Sequence, residues 1–167
     1  MARTGLNDVV SVQDPLQTWN WDLFLPSIPG SGLSRDITIK CVSSTIPGSS
    51  VEQVGVEAHG VKLNFAGRRT WSGTWSATFF ESRNSSTRTA FIAWLEFMRS
   101  WANNSGTYKQ QYSVTGELSL YDDLPQVVKG IKLIGMFPQQ VDDVSLDQTS
   151  GVIQYQVTFS FDYSVDT

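Results

Sequence analysis

The stretch Ile153 to Ser164, IQYQVTFSFDYS, constrains this chain more than any other. Ile153, Tyr155, Val157, Phe159, Phe161 and Tyr163 alternate with Gln154, Gln156, Thr158, Ser160, Asp162 and Ser164. Side chains alternate across a strand with period two, so the pattern predicts a strand with one dry face and one wet face. At ~3.3 Å per residue the stretch reaches roughly 40 Å, about twice a usual strand. A strand of that length needs long neighbours, which predicts a tall antiparallel sheet. Its wet face meets either bulk water or another copy in an assembly.

The rest of the chain fits that frame. Its 167 residues suit a single domain with a sizeable core. The division expected is an arm over residues 1–16, polar and without clear period, then one domain over 17–167. Only 17% of residues are charged, while Ser, Thr, Gly and aromatics are plentiful, which favours β structure over a helical bundle. The net charge of −4 speaks against nucleic-acid binding, which shows a basic face. From Ser113 onward, Glu117, Asp122, Asp123, Asp142, Asp143, Asp147, Asp162 and Asp166 are set against Lys129 and Lys132 alone. Cys41 has no cysteine partner, so no intrachain disulfide is expected, in keeping with a reducing cytoplasm. No apolar h-region opens the chain, and no apolar run approaches the ~20 residues of a membrane helix, so neither secretion nor a membrane is expected.

Taken in order, WNWDLFL places Trp19, Trp21, Leu23 and Leu25 on one face of a first strand. Pro26 to Arg35 reads as a hairpin loop, and DITIKCV as a strand carrying Ile37, Ile39 and a core Cys41. Ser43 to Val54 reads as a long loop whose Ile46, Val51 and Val54 would suit a docking arm; deleting Ser44 to Ser50 should then spare the fold. Val54, Val56 and Ala58 face Val61, Leu63 and Phe65 across a hairpin turning at His59-Gly60, and Arg68 and Arg69 follow at a turn. Trp75, Ala77 and Phe79 mark the next strand.

One helix is expected, with Phe91, Trp94, Leu95, Met98, Trp101 and Ala102 on its core face. Ser86 or Thr87 would cap its start, and Asn103, Asn104 and Gly106 would end it. A polar loop from Thr107 to Tyr112 leads to a strand through Val114, Leu118 and Leu120. After Leu124-Pro125, another strand runs through Ile131 and Leu133 and is closed by Pro138. The fold class expected is mainly β (α+β): an antiparallel β-sandwich or barrel with one amphipathic helix packed on it.

No reaction centre emerges. A Ser/His/Asp triad would have to use His59, the single histidine, without a G-x-S-x-G elbow. Gly30-Ser31-Gly32 lacks a third glycine, and no phosphate-binding loop is present. Asp122-Asp123 and Asp142-Asp143 lack the ligand spacing of a calcium loop. The chain is expected to be neither an enzyme nor a holder of a metal or cofactor.

A set of short motifs in a fixed order carries a resemblance. They are Lys40-Cys41, Ile46-Pro47-Gly48, Ala66-Gly67, Arg69-Thr70 and Trp75, followed by Arg88, Phe91 and Trp94. Gly135-Met136-Phe137-Pro138, Val141, Leu146-Asp147, Val157-Thr158-Phe159 and Asp162-Tyr163 complete it. In these, from about Trp19 to Tyr163, the chain resembles the tail tube protein of contractile-tailed bacteriophages, the tube family of the T-even phages. Residues 1–16 and Pro26 to Arg35 match none of its motifs.

The resemblance implies a structural subunit of a phage virion, with no catalytic role. Six copies would form a ring whose sheets join into one barrel, and rings would stack into a hollow tube inside a contractile sheath. DNA would pass through the lumen without specific binding. A baseplate initiator and a tail terminator would meet the tube's ends, and assembly would occur in the host cytoplasm. By the same analogy, Ser44, Ile46, Pro47, Gly48, Val51 and Glu52 would contact the adjacent ring. The acidic excess after Ser113 would line the channel or the ring-to-ring contact. Two alternatives remain open. One is a tube of a type VI secretion or phage-tail-like bacteriocin system. The other is a carbohydrate-binding β-sandwich, which would need Trp71 or Tyr108 exposed as a stacking platform.

Overall fold

The computed structural model describes residues 16–32, 35–123, 126–148 and 150–167. Alternation in the sequence is carried directly into the sheet. Trp75, Ala77 and Phe79 of β5 (Thr74–Phe80) pair with Phe159, Val157 and Tyr155 of β8 (Gln154–Ser160), and all six are buried. On the other side of the same ladder, Thr74, Ser76 and Thr78 oppose Ser160, Thr158 and Gln156.

Around this pair lie β1 (Trp21–Phe24), β2 (Cys41–Ser44), β6 (Val114–Tyr121), β7 (Val127–Val141) and β9 (Tyr163–Asp166). The seven strands form one antiparallel sheet of order β1-β6-β7-β8-β5-β2, with β9 on β7. β7 belongs to both halves. Its first part lies between β6 and β9, and its last part, Phe137–Val141, pairs with β8. The change of neighbour occurs at Gly135, whose φ of +69° suits glycine, and where an added Cβ would collide with the Asp162 carboxylate. A separate two-stranded sheet is made by β3 (Ser49–Ala58) and β4 (Val61–Trp71).

Three helices complete the fold among the described residues: α1 (Arg35–Ile39), α2 (Ser86–Met98) and α3 (Lys109–Tyr112). Ala90, Phe91 and Trp94 on α2 are buried against the inner face of the sheet. Phe91 lies 5.0 Å from Phe79 and 5.8 Å from Phe159, ring to ring. Trp75 approaches Phe159 at 4.9 Å, so Phe159 is the hub of an aromatic cluster. Trp94 is 6.4 Å from that hub and donates its indole N–H to the Tyr112 carbonyl at 2.8 Å, which satisfies its polar edge.

The start of α2 is held from outside the helix. No side chain at the cap residue Ser85 bonds the first turn. The Glu81 carboxylate accepts the backbone N–H groups of Thr87 at 3.2 Å and Arg88 at 2.8 Å instead. This satisfies two of the donors that a helix start leaves open and sets a negative charge at the positive end of the dipole. The Lys40 ammonium donates to Ser82 Oγ, Ser86 Oγ and Thr87 Oγ1 at 2.9, 3.2 and 3.0 Å. Tyr155 donates to Glu81 at 3.4 Å; burial first, then the neighbouring carboxylate, pushes its phenol well above its usual range.

Several sequence expectations are corrected. The long final strand is two, because Asp162 turns its N–H to the Ile134 carbonyl and β9 then follows β7. Ile153 and Tyr163, at its ends, are exposed. Pro26 to Arg35 is no hairpin loop: the Ile28 carbonyl accepts from Ser31 and Gly32 in a turn that leads towards α1, while residues 33–34 lie outside the described set. DITIKCV is helix and then strand, with Ile37 buried and Ile39 68% exposed. A short apolar run with β-branched residues carries too little period to distinguish the two.

Ser43 to Val54 is mostly strand, leaving only Thr45–Gly48 as loop, and Arg68 and Arg69 lie inside β4. The helix ends at Met98, where Arg99 turns extended, so Trp101 leaves the core face and is 87% exposed. Neither Ser86 nor Thr87 is its cap residue, and Asn103, Asn104 and Gly106 lie beyond its end. The polar loop before β6 contains α3. Pro138 does not close its strand; it is paired with Phe159, and β7 continues to Val141. Leu124-Pro125 and residues 1–15 of the expected arm lie outside the described residues. Cys41 is half-buried against the core, and that burial pushes its thiol up to about 12.

Candidate assembly interface

The β3–β4 hairpin grows out of the sheet as its direct extension. β2 continues through Thr45–Gly48 into β3, and β4 continues through Ser72-Gly73 into β5. The joint is stitched by Thr45 N–H to the Ser76 carbonyl and Ser72 N–H to the Gly48 carbonyl, both at 3.3 Å. The buried Trp75 donates its indole N–H to Ser44 Oγ at 3.0 Å and to the Thr45 carbonyl at 2.8 Å. At the hairpin base Trp71 packs edge-on against Tyr163 at 6.2 Å, beneath the Arg69 guanidinium.

Beyond this joint the hairpin has no cover among the described residues. Every residue of β3 is exposed, as are all of β4 except Gly67 and Trp71. Register gives it two unlike faces. Val54 opposes Phe65, Val56 opposes Leu63 and Ala58 opposes Val61 on one face, and Gln53-Ala66, Gly55-Asn64 and Glu57-Lys62 lie on the other. The turn residues His59 and Gly60 both have positive φ, as a tight hairpin turn requires. At the bulge between Val51 and Gln53, an added Cβ on Gly67 would sit 2.9 Å from the Glu52 carbonyl oxygen. A two-stranded hairpin with one apolar face is marginal by itself in water. Its uncovered apolar face makes the hairpin the candidate for contact with a partner.

The residues the sequence singled out for contact lie along the base of this hairpin. Ser44 serves the Trp75 anchor, Gly48 bonds Ser72, and Pro47 is half-buried between them. Ile46, Val51 and Glu52 are exposed. Deleting Ser44 to Ser50 would therefore remove the Trp75 anchor and the start of β3, so the expectation that the fold survives it is withdrawn. Sequence reading missed the apolar tip face as an interface. Half of the signal was present, as alternating apolar residues on both arms; that no other strand covers them is visible only in the structure.

Several strand edges are unpaired among the described residues, those of β1, β4 and β9 included, and two lie where another copy could add to the larger sheet. One is the outer side of β2 with β3, and the other is the side of Phe137–Val141 away from β8. Open edges invite pairing with another chain. The β5–β8 outer face carries hydroxyls and amides without charge over Thr74–Thr78 and Gln156–Ser160. The late acidic residues are scattered: Asp162 pairs with Lys109 at 2.6 Å, Asp166 with Lys129 at 3.2 Å, and Glu117 with Lys132 at 4.0 Å. Of the two residues a sugar platform would need, Trp71 is half-buried and edge-packed, whereas Tyr108 is 82% exposed. Among the described residues no group of His, Cys, Asp or Glu could hold a metal ion, and no helix is long and apolar enough to cross a membrane.

The family model for phage tail tube proteins matches residues 14–165. Over 137 residues the chain is 27% identical to the tail tube protein gp19 of Enterobacteria phage T4, covering 80% of this chain and 83% of that protein. It is 26% identical to gp19 of Enterobacteria phage T6 over the same coverage. Among solved structures, the tube terminating cap of the anti-feeding prophage has a similar fold, with a TM-score of 0.68, 14% identity and 97% of each chain covered. A chain of the sheath-tube complex of the extracellular contractile injection system PVC, in its extended state, gives a TM-score of 0.64, 14% identity and 99% coverage of each.

Proposed function

The chain belongs to the phage tail tube protein family, and from that we propose how it builds a tube. It acts as a structural subunit, and assembly rather than catalysis is its activity. Copies join laterally into six-membered rings, with the open β2–β3 edge of one subunit set against the free Phe137–Val141 edge of the next. Rings then stack, with the exposed hairpin, including Ile46, Val51 and Glu52 at its base, reaching from one copy to another. A heterologous contact that closes gives a ring, and one that repeats along an axis gives a filament.

The uncharged β5–β8 face suits a channel wall. Hydroxyls and amides offer DNA no cation to grip, so phosphates would slide past them. By analogy with the assemblies that its structural neighbours' names describe, the tube has a sheath outside it, and a baseplate and a terminator at its ends. The tube would be assembled in the host cytoplasm and work in the virion.

The observation that carries this reading is the β3–β4 hairpin, exposed along its length and apolar on one face. Electron microscopy of the concentrated, purified chain tests it. Rings or hollow filaments are expected. A chain that stays monomeric at high concentration, and is retained on a polysaccharide column, would overturn the reading in favour of a sugar-binding module.

A further inference from the structure

The strands between the two lateral edges, β2, β5, β8 and β7, come together at one end of the sheet, because each runs antiparallel to the next. There β2 begins after Lys40, β5 ends at Phe80, β8 begins at Gln154 and β7 ends at Val141. The first turn of α2 lies across that end, and an unbroken series of polar contacts runs through it from one edge strand to the other.

On the β2 side the Lys40 carbonyl accepts the Phe80 N–H at 3.0 Å, and the Lys40 ammonium donates to Thr87 Oγ1 at 3.0 Å. Thr87 is fully buried and donates its N–H to the Glu81 carboxylate at 3.2 Å. Glu81 follows β5 directly and donates its own N–H to the Ile153 carbonyl, just before β8, at 2.9 Å. Its second carboxylate oxygen accepts the Arg88 N–H at 2.8 Å. The Arg88 guanidinium lies over the Tyr155 ring, 5.4 Å from its centre, and donates to the carbonyl of Asp142, the residue after β7, at 2.7 Å. Asp142 gives its N–H to the Gln156 carbonyl at 2.9 Å. Both cations make charge-assisted bonds in part-buried surroundings, the stronger class of hydrogen bond. Lys40 and Arg88 thus tie the two outermost strands to one helix start, with Glu81 between them.

A crossbar of this kind governs the angle between the edges. A ring of six turns by about 60° per copy and a ring of seven by about 51°, so closure depends on roughly 9°. Neighbouring strands twist by about 20–25° on average, over a range of about 10–35°. Along the path from β2 through β5 and β8 to β7, a drift of about 3° at each step would exchange one ring for the other. Ladder bonds by themselves leave more freedom than that. Resting on the tube-subunit reading, we propose that the Lys40–Glu81–Arg88 crossbar fixes how many copies close a ring. Lys40 and Arg88 are the positioning residues for the two lateral edges.

The test counts copies per ring in the full chain, by native mass spectrometry and end-on electron micrographs. Wild-type rings should have one size. Arg88→Met keeps a side chain to pack on Tyr155 but removes the donor to Asp142. Lys40→Met removes the donor at the other edge, and carries the test if the first variant folds poorly. Each should give rings of mixed size and open arcs, whereas Arg88→Lys, which keeps a donor, should return rings of one size. A loss of stability alone would raise the concentration at which rings form without altering their size. Rings of a single size from the Met variants would therefore overturn the crossbar and leave the tube reading standing. A wild-type chain that never forms rings would overturn the tube reading itself.

Discussion

Replacing Val56 and Leu63 together by threonine separates the hairpin's two possible roles. The two residues are a cross-strand pair on the apolar face, 47% and 48% exposed. Fully burying an aliphatic side chain of this kind gains about 1.5–3 kcal/mol, and half of each is still available to a partner, or about 1 kcal/mol per residue. Losing both removes about 2 kcal/mol from each docking contact, roughly a 30-fold change in association. Threonine is β-branched and pairs well across strands, so the hairpin itself should persist. Light scattering against concentration should show onset of assembly displaced by at least that factor, with an unchanged melting temperature. Onset at the wild-type concentration would refute the claim that this face is buried on assembly. A collapse of the monomer's melting temperature would refute the claim that the hairpin lies outside the core.

Other outcomes follow from the packing and the ionisable groups. Phe159→Ala empties the aromatic hub, where Trp75, Phe91 and Trp94 meet, and should cost about 3–5 kcal/mol in urea unfolding. Glu81→Ala takes away the acceptor for two first-turn N–H groups of α2 and should cost about 1–2 kcal/mol. Burial raises the Cys41 thiol from 9.0 to about 12, so the unfolded chain ionises there while the folded chain does not. Stability should therefore fall as pH rises through that window, and Cys41→Ala should flatten this part of the pH profile. Native protein should react slowly with thiol reagents near pH 8, and urea-unfolded protein quickly.

What was legible in the sequence is what a local period controls. The faces of β5 and β8, the apolar stripe Phe91–Trp94 and the register of the hairpin tip all follow from spacing along one segment. What was not legible depends on distant partners. Ser49–Val51 read as loop because Ser and Gly are turn residues, but Ser50 Oγ meets Thr70 Oγ1 at 2.9 Å, and Arg69 Nη2 donates to Ser49 Oγ at 3.0 Å. Pro138 read as a terminator, yet a strand with one free edge tolerates a residue without an N–H. Trp101 continued the helical period by three residues and was placed in the core. The Glu96 carboxylate, by taking the Trp101 N–H, helps turn the chain out of the helix. The hairpin-base residues expected to make contacts were singled out by composition and by the family resemblance, whereas the tip face became a candidate interface only once no other strand was seen to cover it.

The splice between hairpin and body governs how the molecule carries load. β2 leads through the short Thr45–Gly48 loop into β3, and β4 through Ser72-Gly73 into β5, while β5 hands on to β8 and β8 to β7 by antiparallel ladders. Antiparallel hydrogen bonds lie across the strands. A pull on the hairpin tip along its axis therefore shears whole rows of bonds at once instead of peeling them one by one. Within the subunit, a thrust on the hairpin would pass into the larger sheet along the direction in which its hydrogen-bond rows resist shear together.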